Sequence, residues 1–252
     1  MPRNTDLYQA ISAETIILEG HGGDPIRAFY ARPQGAGPYP TMVLVHHMPG
    51  WDDWFKEVTL KFAYRGYATL CPNLYERFGH GAPDDVAAMV RNAGGVPDET
   101  VVGDIDASIR FLKAQPNTNG KTGLWGTCSG GRHSYLAACK LDNVDAICDL
   151  WGGSVVMGEQ DLTPARPAAP IDFTADLSAP VLGIFGNDDR SPSPEQVDQH
   201  EEALKQHGKQ YEFYRYDGAG HGFFYDNRPA YRQEQASDAW PKVWAFLQKH
   251  LS

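Results

Sequence analysis

Cys128 lies in a sequence pattern that is typical of a catalytic nucleophile. The segment runs Gly126-Thr-Cys-Ser-Gly130, after the apolar run Thr122–Trp125 and before a segment with helical periodicity. A nucleophile in a tight turn between a strand and a helix needs glycine two residues to either side, because side chains there would collide with neighbouring backbone. A cysteine at a helix N-terminus is also favoured as the thiolate. The pattern therefore predicts a cysteine nucleophile.

Ser129 is the alternative nucleophile within the same turn, but Thr127 rather than glycine stands two residues before it. An ordinary strand–turn–helix junction with an incidental cysteine is equally compatible with five residues taken alone. The order of the features that follow along the chain favours Cys128.

An acid and then a histidine follow Cys128, which is the order that a nucleophile–acid–base triad takes on a sheet of this kind. Asp189 comes just after the apolar run Pro180–Phe185, with Asp188 as the fallback. His221 stands between two glycines in a loop after the next apolar run. His221 would accept the thiol proton and later activate water, and Asp189 would orient the imidazole ring.

Two backbone N–H groups would have to stabilise the oxyanion that forms when a carbonyl is attacked. The residue after the nucleophile, Ser129, supplies one of them. The second is expected from the loop after the strand Thr41–His46, where Met48 is the candidate because Pro49 has no N–H.

The other histidines and cysteines give weaker candidates. His46 and His47 are adjacent, so their side chains diverge, and no third ligand has recognisable spacing. No metal site is predicted. Surface positions are expected for three histidines in polar helical segments: His200, His207 and His250. Buried positions are expected for three cysteines that form no C-x-x-C pair: Cys71, Cys139 and Cys148.

Short apolar runs alternate with segments of helical periodicity, which predicts a mostly parallel sheet with helices on both faces. Strands are expected at Thr15–Leu18, Arg27–Ala31, Thr41–His46, Ala68–Pro72, Thr122–Trp125, Ala146–Trp151, Pro180–Phe185 and Tyr211–Tyr216. The first two alternate in polarity and could form an antiparallel edge. Helices are expected at Trp54–Arg65, Asp98–Ala114, Gly131–Lys140, Pro194–His207 and Tyr231–His250. Long loops are expected at Phe78–Pro97 and Gly158–Asp176.

The length of 252 residues and the absence of repeats predict a single α/β domain over residues 1–252. The net charge of −10, with no basic run, argues against nucleic-acid or membrane partners. This net charge is still compatible with a small anionic substrate, since one arginine in the site can outweigh the overall negative charge. The N-terminus lacks the pattern of a secretory signal, so a cytoplasmic location is expected.

Taken together, these motifs resemble the dienelactone hydrolase family, a group of α/β-hydrolases with a cysteine nucleophile. The resemblance runs from about Ile26 to the C-terminus and includes GYATLCPNLYER, GTCSGG, FGNDDRSPSPEQ and GAGHGFF. It implies an α/β-hydrolase fold with about eight strands and the triad of Cys128, Asp189 and His221. It further implies cofactor-free hydrolysis of a small carboxylic ester or lactone through an acyl-thioester.

Two positions depart from the family pattern. Lactone-cleaving relatives carry a glutamate in the oxyanion loop that helps to regulate thiol ionisation, and His47 stands there in this chain. Whether this imidazole does the same or only packs and hydrogen-bonds stays open. Relatives also place an arginine shortly after the catalytic histidine to bind a substrate carboxylate, and Tyr225 stands at about that position. Arg77 or Arg91 could replace that arginine from the long loop.

Aromatic residues near the predicted site suggest a larger and more apolar pocket, and hence a substrate other than a small diene-lactone acid. They are Trp51, Trp54, Phe223, Phe224 and Tyr225. Two other functions remain open. The chain could be a non-catalytic small-molecule binding protein on the same fold, or an acyltransferase that passes the acyl group to an acceptor other than water. Either a monomer or a homodimer is compatible with the sequence.

Overall fold

A computed structural model of the protein describes residues 10–252, so residues 1–9 of the predicted domain lie outside it. The strands are β1 (Ile11–Glu19), β2 (Pro25–Pro33), β3 (Tyr39–Val45), β4 (Ala68–Pro72), β5 (Thr118–Thr127), β6 (Ala146–Leu150), β7 (Val181–Gly186) and β8 (Tyr211–Tyr216). The helices are α1 (Asp53–Tyr64), α2 (Pro83–Asn92), α3 (Asp98–Lys113), α4 (Ser129–Lys140), α5 (Pro194–Gln206) and α6 (Gln233–Leu251). Short 3₁₀ turns occupy His21–Gly23, Glu76–Phe78, Glu159–Asp161 and Pro170–Asp176.

The eight strands form one sheet in the order β1-β2-β4-β3-β5-β6-β7-β8. β1 pairs antiparallel with β2 and β2 antiparallel with β4, whereas every pair from β4 to β8 is parallel. The predicted α/β-hydrolase fold, with its mostly parallel sheet and antiparallel edge, is therefore confirmed. The carboxyl ends of β3, β5, β7 and β8 lie along one edge of the sheet, so the loops that follow these strands meet there.

Two apolar layers cover the two faces of the sheet. Residues of β3 alternate between them, because successive side chains of a strand point to opposite faces. Val43 and Val45 join the layer that packs against α3 and α4. Met42 and Leu44 join the layer that packs against α1 and α6. Both layers exclude water from the central strands, which explains why these strands read as continuous apolar runs.

The helix boundaries follow local signals. α1 begins after Asp52, whose carboxylate accepts the backbone N–H of Phe55 at 3.1 Å. α5 begins after Ser193, which forms a reciprocal capping box with Gln196. None of the helices within residues 10–252 is both long and apolar enough to cross a bilayer.

Two expectations about this architecture are wrong. The predicted loop Phe78–Pro97 contains the helix α2, which starts at Pro83 and has two aspartates in its first turn. Its buried side chains are only Val86, Ala87 and Val90, so its apolar pattern is short. His200 is buried rather than on the surface, with 3% of its area exposed. Its ring packs between Tyr135 and Phe213.

A buried ion pair joins α3 to α4. The Arg132 guanidinium donates two hydrogen bonds to the Asp98 carboxylate, at 2.6 and 2.8 Å, and its side chain is 2% exposed. Arg132 also donates to the carbonyl oxygen of Ser154 at 3.2 Å. A desolvated guanidinium needs such a partner, because an uncompensated buried charge strongly destabilises the folded state.

Asp98→Asn should therefore lower the free energy of unfolding by about 3 kcal/mol, since it leaves the Arg132 charge buried without a counter-ion. Urea denaturation followed by tryptophan fluorescence measures this. Lys56→Ala is the control, because it removes an exposed pair with Asp53 and should cost less than about 1 kcal/mol. An Asp98→Asn protein as stable as the Lys56→Ala protein would contradict the expectation.

Candidate active site

Cys128 lies between β5 and α4 in a backbone conformation that side chains rarely adopt, with φ 56° and ψ −124°. The two flanking glycines make this turn possible. A Cβ on Gly126 would lie 2.1 Å from the carbonyl oxygen of Gly130, and one on Gly130 would lie 1.9 Å from that of Val45. No side chain fits at either position. The turn thus requires both glycines of the Gly-x-Cys-x-Gly pattern.

Asp189 and His221 follow the ends of β7 and β8 and are hydrogen-bonded to each other. His221 Nδ1 lies 2.9 Å from Asp189 Oδ2, and the Asp189 side chain is 3% exposed. Asp189 Oδ1 accepts the backbone N–H of Ser191 at 2.9 Å. Because Nδ1 donates to the carboxylate, Nε2 is left for the Cys128 thiol, and the ring lies close enough to this thiol for each group to shift the pKa of the other. The structure thus brings the three predicted residues together.

The thiol and the imidazole shift each other's ionisation. Burial alone would raise the pKa of the Cys128 thiol, but the hydrogen bond and the positive charge of His221 outweigh it, so the pKa lies below its usual value. Burial likewise opposes the charge on His221, but its bonds to Asp189 and Cys128 raise its pKa to about 10. Each group therefore favours the charged form of the other, the Cys128 thiolate and the His221 imidazolium.

Two backbone amides reach the sulfur as well. The N–H groups of Met48 and Ser129 both approach Cys128 and help to lower its pKa. Tyr75 holds the loop of Met48 by donating its hydroxyl to the Met48 carbonyl oxygen at 3.2 Å. His46 holds the same loop, since its Nε2 accepts the N–H of Leu74 at 3.1 Å. Burial lowers the pKa of His46 to about 4, which keeps this acceptor neutral.

A cavity of about 500 Å³ opens above the Cys128 sulfur, and arginines dominate its charge. Four of them line it, together with His133 and Asp189: Arg91, Arg132, Arg166 and Arg190. Arg132 is neutralised by Asp98, and Asp189 is engaged by His221. Within residues 10–252, no carboxylate forms an ion pair with the other three arginines. The cavity therefore suits an anionic group.

Several of these cavity residues are not predicted from the sequence. Arg91 is a sequence candidate, whereas Arg166, Arg190 and His133 are not. Arg166 lies in the predicted loop Gly158–Asp176, where no periodicity indicates which side chain turns inward. Its guanidinium lies beside Gly95, where a Cβ would be 3.8 Å from Arg166 Nη2, an ordinary contact distance. Arg190 directly follows Asp189 in the sequence, and this adjacency to a predicted site residue indicates a position near the cavity.

Arg77 does not line the cavity, which corrects its prediction as a substrate-binding residue. Its guanidinium donates to the buried Asp104 carboxylate at 2.7 and 3.0 Å. It also donates to Asp24 at 2.7 Å. These bonds direct the Arg77 side chain to the 3₁₀ turn His21–Gly23 and α3, so it has a structural role there.

The predicted aromatic lining is also wrong. Trp51 lies outside the cavity and donates its indole N–H to the Cys71 carbonyl oxygen at 3.0 Å. Phe223 is fully buried, and its ring centroid lies 5.0 Å from that of Trp151. Tyr225 is buried too, with its hydroxyl 2.8 Å from that of Thr127. These rings pack away from the cavity, so they do not form its lining.

His47, the residue at the family's glutamate position, is fully buried and does not line the cavity. Its Nε2 lies 2.8 Å from Asp52 Oδ2. Burial lowers the pKa of His47, so the neutral ring donates this hydrogen bond to the Asp52 carboxylate. The ring packs against Trp54 and Tyr225. His47 thus joins the oxyanion loop to the N-terminus of α1.

Comparisons with known proteins agree with this architecture. The sheet order and the sharp turn at Cys128 place the chain among the α/β-hydrolases. The model of the "Dienelactone hydrolase family" matches residues 26–251. The chain therefore belongs to this family and is a carboxylic ester or lactone hydrolase.

Individual relatives span most of the chain. A protein named "Putative carboxymethylenebutenolidase" from Methylorubrum extorquens is 34% identical over 249 residues, which cover 98% of this chain and 84% of that protein. A Yersinia pestis protein with the same name is 32% identical, covering 90% and 85% of the two chains. The crystal structure titled "Putative Dienelactone Hydrolase" from Klebsiella pneumoniae superposes with a TM-score of 0.87 at 28% identity, covering 96% of this chain and all of that one.

Iodoacetamide should alkylate Cys128 faster at neutral pH than it alkylates an ordinary exposed cysteine, because the contact with His221 lowers the thiol pKa. The midpoint of the plot of alkylation rate against pH should lie below that of an ordinary thiol. His221→Gln removes the cation, so burial dominates and raises the thiol pKa. Alkylation at about pH 7 should then slow at least tenfold. Mass spectrometry of the labelled peptide measures the rate.

Cys128→Ala provides the background for this experiment. The other three cysteines are buried, and burial raises the pKa of each thiol, so the native variant should stay unlabelled. An unchanged alkylation rate in His221→Gln would show that His221 does not ionise Cys128.

Proposed function

We propose that the protein hydrolyses a carboxylic ester or lactone whose acyl part carries an anionic group, with Cys128 as nucleophile. The observation that carries this proposal is the hydrogen bond between Asp189 and His221, with the His221 ring close enough to Cys128 to lower the pKa of its thiol, at the base of an arginine-lined cavity. His221 is the acid and base of the reaction, and Asp189 orients its ring.

The first half of the reaction forms a thioester. The Cys128 thiolate attacks the substrate carbonyl carbon, and the electron pair of the C=O bond moves onto oxygen. The N–H groups of Met48 and Ser129 stabilise this oxyanion, since they already converge beside the sulfur. When the tetrahedral intermediate collapses, the C–O bond of the ester breaks and the His221 imidazolium protonates the leaving alkoxide. A lactone keeps this alcohol on the acyl chain.

The second half releases the acid. Neutral His221 takes a proton from water as the water oxygen attacks the thioester carbonyl, and the same two amides stabilise the second oxyanion. The C–S bond then breaks, which gives the carboxylic acid and the Cys128 thiolate. The proton on His221 restores the ion pair of the resting site, and the acid leaves its own proton to solvent.

Charge in the cavity supports an anionic acyl group. Burial raises the pKa of Tyr75 at the cavity wall, and the charges of Arg91 and Arg166 lie close enough to oppose this rise. Neither has a carboxylate partner among residues 10–252. The rest of the protein is acidic, with a net charge of −10, so this positive cavity is a local feature. A guanidinium that is free of protein partners can bind a carboxylate in a bidentate arrangement.

Wild-type protein should hydrolyse members of a panel of aryl esters and lactones, and Cys128→Ala should lose at least about a thousandfold in rate because no nucleophile remains. Rapid quenching and mass spectrometry should detect an acyl adduct on Cys128. Cys139→Ala is the matched control, since Cys139 is a buried cysteine of α4 outside the cavity. Full turnover by Cys128→Ala would refute the proposal, and ester formation in added alcohol at the expense of hydrolysis would favour an acyltransferase.

Arg166→Leu should raise KM for nitrophenyl hemisuccinate about tenfold or more, because it removes a charged hydrogen-bond donor to the carboxylate. KM for the neutral nitrophenyl butyrate should stay within about twofold. Arg110→Leu is the control, since Arg110 lies on the exposed face of α3. Equal effects of Arg166→Leu on both esters would contradict an anionic subsite.

A further inference from the structure

His133 occupies an unusual position in the cavity wall. It lies on α4, five residues after Cys128, and lines the cavity together with Arg166. Its Nδ1 is buried and has no hydrogen-bond partner among the described residues. The structure records no partner for Nε2 either, so Nε2 is the ring nitrogen left to face the cavity. Neither nitrogen therefore serves the folding of the chain by a hydrogen bond within residues 10–252.

The surroundings of His133 keep its ring neutral. Burial lowers its pKa well below the usual value, and the nearby charges of Arg132 and Arg166 act in the same direction. A neutral imidazole carries its single proton on one of its two nitrogens. A buried N–H without an acceptor is less well tolerated than a buried lone pair without a donor. The proton is thus favoured on Nε2, which turns an N–H donor towards the cavity.

We propose that His133 is a specificity-determining residue: its Nε2–H donates a hydrogen bond to the anionic group of the acyl chain that Arg166 also binds. This inference rests on the proposed function and names a second contact of the same substrate group. The combination is chemically distinct from two arginines, because a neutral donor adds a directed hydrogen bond without further positive charge.

A purely structural role would require only the shape of the ring. Leucine is apolar and of similar bulk, so it would fill the same space on α4 without losing any hydrogen bond to the described residues. The buried Nδ1 has no protein partner and costs free energy that leucine would avoid. The imidazole is therefore better accounted for by a ligand in the cavity that accepts a hydrogen bond from Nε2.

Two variants separate these roles. His133→Leu removes the donor, and His133→Gln places an amide N–H near the position of Nε2. His133→Leu should raise KM for nitrophenyl hemisuccinate about tenfold, change its kcat little, and leave KM for nitrophenyl butyrate within about twofold. His133→Gln should restore most of the hemisuccinate KM. His207→Leu is the control, since His207 is an exposed histidine at the end of α5.

The pH dependence tests whether the donor is neutral. Between about pH 6 and pH 8, the ratio of the hemisuccinate KM values of His133→Leu and wild type should stay constant, because His133 does not titrate in this range. A ratio that falls towards one as the pH rises would show that a protonated His133 acts through its charge. That result would overturn the proposal, and so would equal KM values for His133→Leu and wild type.

Calorimetric titration with succinate separates this inference from the proposed function, because it needs no turnover. Succinate should bind wild type and His133→Gln with similar affinity and His133→Leu about tenfold more weakly. If no ester is hydrolysed but this order of affinities holds, the binding role of His133 stands and the hydrolase mechanism fails. If Cys128-dependent hydrolysis occurs but succinate binds all three proteins alike, the role of His133 is refuted alone.

Discussion

The left-handed backbone at Cys128 is the constraint on which the rest of the site depends. Its N–H donates to the Leu150 carbonyl oxygen at 3.0 Å, so the turn is fixed to β6. Its carbonyl oxygen accepts from Gly131 at 3.0 Å and so starts α4. Close packing of α4 against the sheet then requires that Gly126 and Gly130 lack side chains. One strained residue thus places a thiol at a helix N-terminus, beside the loops that carry the acid and the base.

The charged groups at the floor of the cavity stabilise the ionised thiol, and those at its wall can bind an anionic group. At the floor, the imidazolium of His221 and two amides favour a thiolate, while Asp189 compensates the imidazolium. At the wall, Asp98 neutralises Arg132. Arg166, in contrast, has no ion-pair partner among residues 10–252. An acidic protein repels anions at long range, but a guanidinium at close range in a partly desolvated cavity outweighs this repulsion.

The fold and the proximity of Cys128, Asp189 and His221 could be predicted from the sequence because their signals are local. An apolar run, a turn with glycines at fixed spacing and a helix are contiguous in the chain, and parallel strands bring their carboxyl ends to one edge. The cavity wall could not be predicted in this way. Arg166 reaches the site from an irregular segment whose path depends on tertiary packing, and α2 has too few apolar positions to show a period. The sequence predicts a surface position for His200 because its neighbours along the chain are polar. In the structure its ring faces the aromatic rings of Tyr135 and Phe213.

The residue at the family's glutamate position, His47, has a structural role in the loop that carries Met48. His47 is neutral and donates to Asp52, so it brings no charge to the Cys128 sulfur. The lowered pKa of the thiol arises instead from His221, Met48 and Ser129. Asp52 also caps α1, so the bond from His47 fixes the oxyanion loop to a helix that packs on the sheet. Thiol ionisation in this chain therefore depends on the geometry of the loop, which His47 maintains, and on the charge of His221.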